Sequence, residues 1–147
     1  MAFIYHLPTK IIFDKPAVQA IAAELATLPA GPVLVVSDPG LAHLGLVQNL
    51  TGPLSESGYM VTSFLQVSSN PTTTEVTAGL EVAQAVKASN LIALGGGSAI
   101  DVAKGIAMLL TNGGTYADYQ WGGRRITQRS APLLAVPTTA GTGSEVS

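Results

Sequence analysis

The sequence contains no cysteine and few charged residues, and both shortages limit what the protein can be. Without cysteine, neither a disulfide framework nor a thiolate metal site is available. Charged residues make up only 11% of the 147 residues, against about a quarter in typical domains, whereas hydrophobic residues make up 47%. The polar residues are too few to cover a compact monomer, so we expect part of the surface to contact another chain or a further domain.

Basic clusters and long apolar runs are lacking as well. The seven Lys and Arg residues are spread along the chain and the net charge is −2, so nucleic acid is not an expected partner. No apolar run approaches the roughly 18 residues that span a bilayer, and the first residues do not have the three regions of a signal peptide. We therefore expect a cytoplasmic protein with no membrane partner.

Apolar runs typical of buried strands alternate with segments of helical spacing. Two short β-rich runs, 3–5 and 10–13, lie on either side of Leu7-Pro8-Thr9 and predict an N-terminal β-hairpin. Further strands are predicted at 33–36, 59–64, 91–94 and 133–136, helices at 16–28, 41–57 (broken), 75–88 and 100–110, the last closed by Asn-Gly-Gly at 112–114, and loops at 68–74 and 122–130. This order predicts an α/β, Rossmann-like fold, a parallel sheet with helices on both faces, as a single domain over residues 1–147.

The strongest local motif is a glycine turn between a buried strand and an apolar helix. Gly95, Gly96 and Gly97 carry no Cβ, so backbone N–H groups there can approach a pyrophosphate, and the helix dipole attracts its charge. The turn departs from the G-x-G-x-x-G fingerprint, because Ile100 occupies the third glycine position. A strand-to-helix turn with no ligand is the alternative.

A second motif, Pro-Thr-Thr-Ala-Gly-Thr-Gly-Ser-Glu at residues 137–145, follows the last predicted strand. Its hydroxyl groups and glycines cluster at the carboxyl end of a strand, where open α/β sheets bind ligands. Thr138, Thr139 and Thr142 are the candidates for contacts with phosphate and carboxamide groups. The alternative is an ordinary turn or a Ser/Thr helix cap.

Taken together, the two motifs resemble the iron-containing alcohol dehydrogenase family. The glycine-rich segment 95–104 is similar to the family's, and residues 137–145 match its Pro-Thr-Thr-Ala-Gly-Thr-Gly-Ser-Glu motif without a substitution. The segments 8–13, 37–40 and 70–72 also fall where the family has them. Glycerol dehydrogenases and dehydroquinate synthases share the first motif but depart from the second.

The resemblance implies an N-terminal dinucleotide-binding domain followed by a helical domain that supplies an aspartate and three histidines to iron or zinc. The sequence has neither the length nor the ligands for the second domain, so we expect these residues to be a truncated part of the enzyme, inactive alone. His6 and His43 lie 36 positions apart with no acidic cluster beside them. We assign no metal ligand and no catalytic residue here.

Asp38 is the residue that the resemblance connects with cofactor choice. The family places an acidic side chain after this strand, where a carboxylate accepts hydrogen bonds from the ribose hydroxyls of NAD and repels the 2′-phosphate of NADP. There are two alternatives: a literal use of the fingerprint selects Asp118 for this role, and Asp38 then only closes an Asx turn before Pro39, or Asp38 closes that turn with no ligand at all. We prefer Asp38, because Asp118 lies beyond a glycine-rich break.

Two further polar residues have a weaker basis. The resemblance places Asn70 at the cofactor cleft, although a polar residue before proline usually builds a turn. Asp101 either lies near the nicotinamide ribose or forms a capping pair with Ser98. The full set of predicted cofactor-binding residues is Asp38, Asn70, Gly95, Gly96, Gly97, Ser98, Asp101, Thr138, Thr139 and Thr142.

The predicted function is hydride transfer between an alcohol or aldehyde and NAD, with iron or zinc polarising the alcohol oxygen in the complete enzyme. Two alternatives are a free-standing nucleotide-binding module and an NAD-using lyase of the dehydroquinate synthase type. We expect a homodimer, formed through the apolar N-terminal segment 2–14. Alternatively, this segment is only the edge of its own sheet.

Overall fold

The computed structural model describes residues 9–13 and 17–147. Four parallel strands form one sheet, in the order β2-β1-β3-β4. The strands are β1 (Val33–Val36), β2 (Val61–Phe64), β3 (Asn90–Gly95) and β4 (Leu133–Pro137). The helices are α1 (Ala17–Leu25), α2 (Pro39–His43), α3 (Leu46–Glu56), α4 (Thr73–Ala85) and α5 (Gly97–Asn112), with a short 3₁₀ helix at Tyr116–Tyr119.

The sheet has helices on both faces, as predicted. All four side chains of β1 are buried, and successive side chains along a strand point to opposite faces. Leu34 and Val36 belong to the core formed with α4 and α5, whereas Val33 and Val35 belong to the core formed with α1 and α3. This two-sided burial explains the continuous apolar run, which a strand with one solvated face would not need.

The N-terminal hairpin is where the prediction and the structure differ most. Its first strand, residues 3–5, lies outside the described residues. Its second strand is not found, since residues 10–13 have no strand structure. The side chains of Ile11 and Phe13 are 64% and 101% exposed. A strand needs a hydrogen-bonding partner, and the described part of the chain provides none for this segment.

The broken helix predicted at 41–57 is confirmed as two helices, α2 and α3. The break lies at Gly45, whose φ of +77° is a left-handed conformation that glycine adopts without strain. Proline is tolerated inside α3 at Pro53. α2 begins at Pro39, earlier than predicted, because the Asp38 side chain caps it.

Other element boundaries shift by a few residues. α4 begins at Thr73, inside the predicted loop 68–74, because Thr72 and Glu75 form a capping box. β2 begins at Val61, two residues later than predicted. α5 ends before Gly113, whose φ is +66°, as the Asn-Gly-Gly sequence predicts.

The predicted surface loop 122–130 is confirmed as exposed and irregular. The Asn112 amide holds it against the end of α5. Its nitrogen donates to the Gln128 carbonyl (3.0 Å), and its oxygen accepts from the N–H groups of Thr127 (3.0 Å) and Gln128 (2.9 Å). Among the helices of residues 9–13 and 17–147, none has the length and hydropathy needed to cross a membrane.

Candidate functional site

A cleft lies where the strand order reverses, at the carboxyl ends of β1 and β3. The chain leaves β1 for β2 on one side and returns to β3 on the other, which opens a crevice between the two connections. The cleft has a volume of about 450 Å³. Its walls come from the turn after β1, the loop after β2 and the glycine turn after β3, with the lining residues Asp38, Pro39, Val67, Ser68, Ser69, Gly96, Ser98 and Ala99.

The glycine turn brings the N-terminus of α5 to this cleft. Gly95 has a φ of +153°, and a Cβ on it would lie 2.8 Å from Cβ of Ala99, so only glycine fits. Gly96 is the N-cap of the helix and, among the described residues, no side chain caps it. The first intrahelical bond runs from the Ile100 N–H to the Gly96 carbonyl (3.2 Å), which leaves the preceding N–H groups available to a ligand. A phosphate fits this position.

The second motif packs directly on the glycine turn. β4 pairs with β3 in the register that places Pro137 opposite Gly95, and the Thr138 N–H donates to the Gly95 carbonyl (2.9 Å). Oγ1 of Thr139 lies 3.1 Å from the position that a Cβ on Gly96 would take. Cβ and Cγ2 of Thr142 lie 3.3 Å from that position on Gly97. The structure therefore brings the two predicted motifs together.

Asp38 has two roles open to it, because its two oxygens lie in different places. Oδ1 accepts a hydrogen bond from the Leu41 N–H (3.0 Å) and so caps α2. Oδ2 lies 3.7 Å from the position of a Cβ on Gly95, beside the glycine turn. Asp38 therefore makes a helix N-cap bond to the residue three positions on, where an Asx turn was the predicted alternative, and its second oxygen remains at the cleft.

Ser98 joins two walls of the cleft, since its hydroxyl donates to the Ser69 carbonyl (2.9 Å). The alternative capping pair between Ser98 and Asp101 is wrong, because α5 begins at Gly97 and its N-cap is Gly96. Asn70 follows Ser69 and is exposed outside the lining of this cleft.

Asp101 lies away from the cleft. It lines a second groove of about 560 Å³ together with residues of α5 and of the segment after it, among them Lys104 and Tyr116. The fingerprint's alternative acid, Asp118, accepts a hydrogen bond from the Thr115 N–H (2.7 Å) in a capping box of the 3₁₀ helix. That hydrogen bond lowers the pKa of Asp118.

From the loop after β2, the sequence predicts only Asn70 at the cleft, and the two serines before it were missed. Ser68 and Ser69 line the cleft, and the Glu75 carboxylate accepts from the Ser68 hydroxyl (2.6 Å), the Thr72 N–H (2.8 Å) and the Thr72 hydroxyl (2.6 Å). These hydrogen bonds, that of Ser68 first, lower the pKa of Glu75 to about 2. The Thr-x-x-Glu spacing of a capping box indicates where α4 begins, but it does not place the two serines at the cleft.

A metal site is not evident within the part of the chain that the structure describes. No three His, Cys, Asp or Glu side chains there are grouped closely enough to hold an ion. His43 lies in the last turn of α2, and His6 falls outside the described residues.

Known proteins resemble this chain over nearly its whole length. The model of the family described as iron-containing alcohol dehydrogenase matches residues 8–147. A 4-hydroxybutyrate dehydrogenase from Cupriavidus necator is 42% identical, over 99% of this chain and 38% of its own length. The crystal structure of sulfoacetaldehyde reductase from Bifidobacterium kashiwanohense in complex with NAD+ has a TM-score of 0.85 at 35% identity, over 99% of this chain and 38% of that one. The structure of a 1,3-propanediol oxidoreductase has a TM-score of 0.86 at 33% identity, with the same coverage of 99% and 38%.

The chain thus spans about 38% of the length of these relatives. The family match covers both motifs, the residues that line the cleft and all four strands of the sheet. The chain belongs to the iron-containing alcohol dehydrogenase family.

Proposed function

We propose that residues 1–147 are the NAD-binding domain of an oxidoreductase that transfers a hydride between an alcohol and NAD. The observation that carries this proposal is the packing of the Pro-Thr-Thr motif on the glycine turn at the N-terminus of α5, beside Asp38. A relative that contains NAD+ supports it. The named relatives are dehydrogenases, reductases and oxidoreductases, which favours this function over a lyase or a binding module without catalysis.

In this proposal the glycine turn holds the pyrophosphate. The N–H groups of Gly97 and Ser98 and the dipole of a 16-residue helix supply partial positive charge without a side-chain cation. The absence of a Cβ on Gly96 keeps the approach open. Bound NAD supplies the hydride acceptor, and the protein fixes its position.

The remaining predicted residues surround this cradle. Thr138, Thr139 and Thr142 lie against the glycine turn and hold the cofactor on the β4 side. Asn70 and Asp101 lie outside the cleft lining, so they would contact only parts of the cofactor that extend beyond the cleft: Asn70 beside the loop after β2, and Asp101, in the second groove, on the nicotinamide side. The iron or zinc of the complete enzyme would polarise the alcohol oxygen, and we assign none of the described residues to it.

The proposal also includes the substrate class, the oligomeric state and the cellular location of the protein. The substrate is a small alcohol or aldehyde, as the names of the relatives suggest. The protein acts in the cytoplasm as a homodimer. No nucleic acid or membrane takes part.

Asp38 provides the experiment that tests the proposal. A carboxylate about 4 Å from a 2′-phosphate is disfavoured by about 4 kcal/mol per unit charge at an effective dielectric of 20, and less where solvent screens it. We expect calorimetry to show that the protein binds NAD more tightly than NADP. Asp38→Asn should gain NADP affinity with unchanged unfolding free energy, because asparagine caps a helix as well as aspartate does.

Asp38→Gly should relax the preference too, at the cost of the hydrogen bond to Leu41. Equal binding of NAD and NADP by the wild-type protein would refute the role of Asp38. No binding of either would refute the proposed function.

A further inference from the structure

We propose that Glu75 is a positioning residue of the cofactor cleft, which acts by holding Ser68 and the loop of residues 68–72 in place as a wall. The proposal rests on the proposed NAD-binding function. Glu75 itself does not line the cleft. It acts on the site through the residues it binds.

The Glu75 carboxylate does more than cap α4. A capping box requires only the bond from the Thr72 N–H to the Glu75 side chain and the reciprocal bond of the Thr72 hydroxyl. Oε2 of Glu75 serves Thr72 through both its N–H and its hydroxyl. Oε1 instead accepts from the hydroxyl of Ser68, seven residues earlier in the chain (2.6 Å). This second oxygen has no role in capping.

The loop of residues 68–72 is held by hydrogen bonds to two helices, α4 and α5. Ser68 is bound to α4 through Glu75, and the next residue, Ser69, accepts from the Ser98 hydroxyl on α5 (2.9 Å). Val67, just before them, is buried and 2% exposed. The two serines that line the cleft are therefore held between the capped end of one helix and the phosphate-binding end of another.

The side chain that accepts these hydrogen bonds at position 75 must be a carboxylate. An ionised carboxylate only accepts hydrogen bonds, whereas the amide of glutamine offers one acceptor and one donor group. The lowered pKa of Glu75 keeps the side chain ionised near neutral pH. Ser68 donates to one oxygen of Glu75 and Thr72 donates to the other. The glutamine of Glu75→Gln could therefore accept from only one of these two residues, and its amide N–H₂ group would face the donor of the other.

The test compares NAD affinity and unfolding free energy across matched variants. Ser68→Ala removes the hydrogen bond between the loop and Glu75 and leaves the capping box intact. We expect its NAD affinity to fall about three- to tenfold, the range that one hydrogen bond spans, with the protein still folded and its unfolding free energy lowered only by the loss of that one bond. Ser68→Thr, which keeps the hydroxyl, should restore affinity.

Glu75→Gln should lower NAD affinity to a similar extent. Asp118→Asn is the control, because Asp118 also accepts in a capping box and lies outside the cleft lining. It should leave NAD affinity unchanged.

A double variant separates positioning from a direct contact of Ser68 with the cofactor. If Glu75 acts through Ser68, Glu75→Gln should have little further effect in the Ser68→Ala background. Fully additive losses, or NAD affinity that is unchanged in both single variants, would overturn the proposal. A wild-type protein that binds no NAD would overturn the proposed function itself, so the two failures are distinguishable.

Discussion

Gly95 and Gly96 are neighbours in the phosphate-binding turn, yet they exclude side chains for different reasons. Gly95 needs its positive φ and its space beside Ala99 for the fold itself. Gly96 has an extended backbone, with φ −79° and ψ −171°, that any residue can adopt. A Cβ there would meet only the Thr139 side chain, at 3.1 Å. Gly96 is therefore the position at which a substitution tests the cleft without breaking the turn.

Gly96→Val should abolish NAD binding and leave the protein folded, because the added methyl groups occupy the space that the pyrophosphate needs. The control is Gln48→Val, which introduces the same side chain at an exposed position of α3 outside the cleft lining. Calorimetry would measure binding and circular dichroism would measure folding. Unchanged NAD affinity in a folded Gly96→Val protein would place the cofactor elsewhere.

The lowered pKa of Glu75 predicts how the stability of the protein depends on pH. Its pKa is lowered from 4.5 to about 2 in the folded protein, so its carboxylate stabilises the fold fully above pH 4.5. This contribution declines as the pH falls below 4.5 and is lost by about pH 2. The difference in denaturant-unfolding free energy between the wild type and Glu75→Gln should therefore shrink between pH 6 and pH 3. A difference that does not change with pH would contradict the lowered pKa.

The residues of the site differ in how far the sequence predicts them. The glycine turn and the threonines lie in contiguous motifs at strand ends, so their meeting follows from parallel pairing of β3 with β4. Ser68 and Ser69 belong to a polar loop with no distinctive pattern. Their place at the cleft depends on the length of that loop and on the Ser98 hydrogen bond, which no local pattern encodes.

At the level of elements, α4 and α5 approach each other closely through glycines. A Cβ on Gly79 would collide with Cδ1 of the fully buried Ile106 and lie 3.2 Å from Cε1 of Phe64. From the other helix, a Cβ on Gly105 would lie 3.0 Å from Cγ1 of Val76. Glycine at both positions lowers helix stability through its larger entropy loss on folding, but it allows the two helices to pack closely.

Gly79→Ala should consequently lower the stability of the protein, even though alanine favours a helix. Alanine in place of a helical glycine raises the unfolding free energy by up to about 1 kcal/mol when its methyl group meets no other atom. At Gly79 the added methyl group overpacks the core, which costs about 1–3 kcal/mol and outweighs that gain. Urea denaturation of the wild type and the variant would measure the change. A Gly79→Ala protein that is more stable than the wild type would show that the helices can move apart at no cost.

The sequence predicts the strands and long helices well and their ends less well. Val33–Val36 appears as predicted, because a fully buried strand requires a continuous apolar run. The predicted start of α4 is wrong by two residues, because the polar residues of its capping box do not show the apolar periodicity from which the helix was predicted. A hairpin at the N-terminus was predicted from local β propensity, which depends strongly on context.

At the scale of the whole molecule, the low charged fraction leaves large apolar side chains on the surface. Phe13 and Trp121 are 101% and 100% exposed, and Leu44 is 71% exposed. Phe13 follows Ile11 and Ile12, so three consecutive large apolar residues face solvent in the described chain, with exposures of 64% and 44% for the two isoleucines. Contiguous apolar surface of this kind is typical of a protein interface.

We predict that two chains associate through the N-terminal segment 2–14. A partner's identical segment would cover Ile11, Ile12 and Phe13 across a two-fold axis, which would remove the same apolar side chains of both chains from water. Phe13→Ser should weaken the dimer, and deletion of residues 1–7 should give a monomer. Leu44→Ser, at another exposed apolar residue, should leave the dimer intact. Light scattering across a concentration series would give the molar masses, and a wild-type protein that is monomeric at high concentration would exclude the dimer.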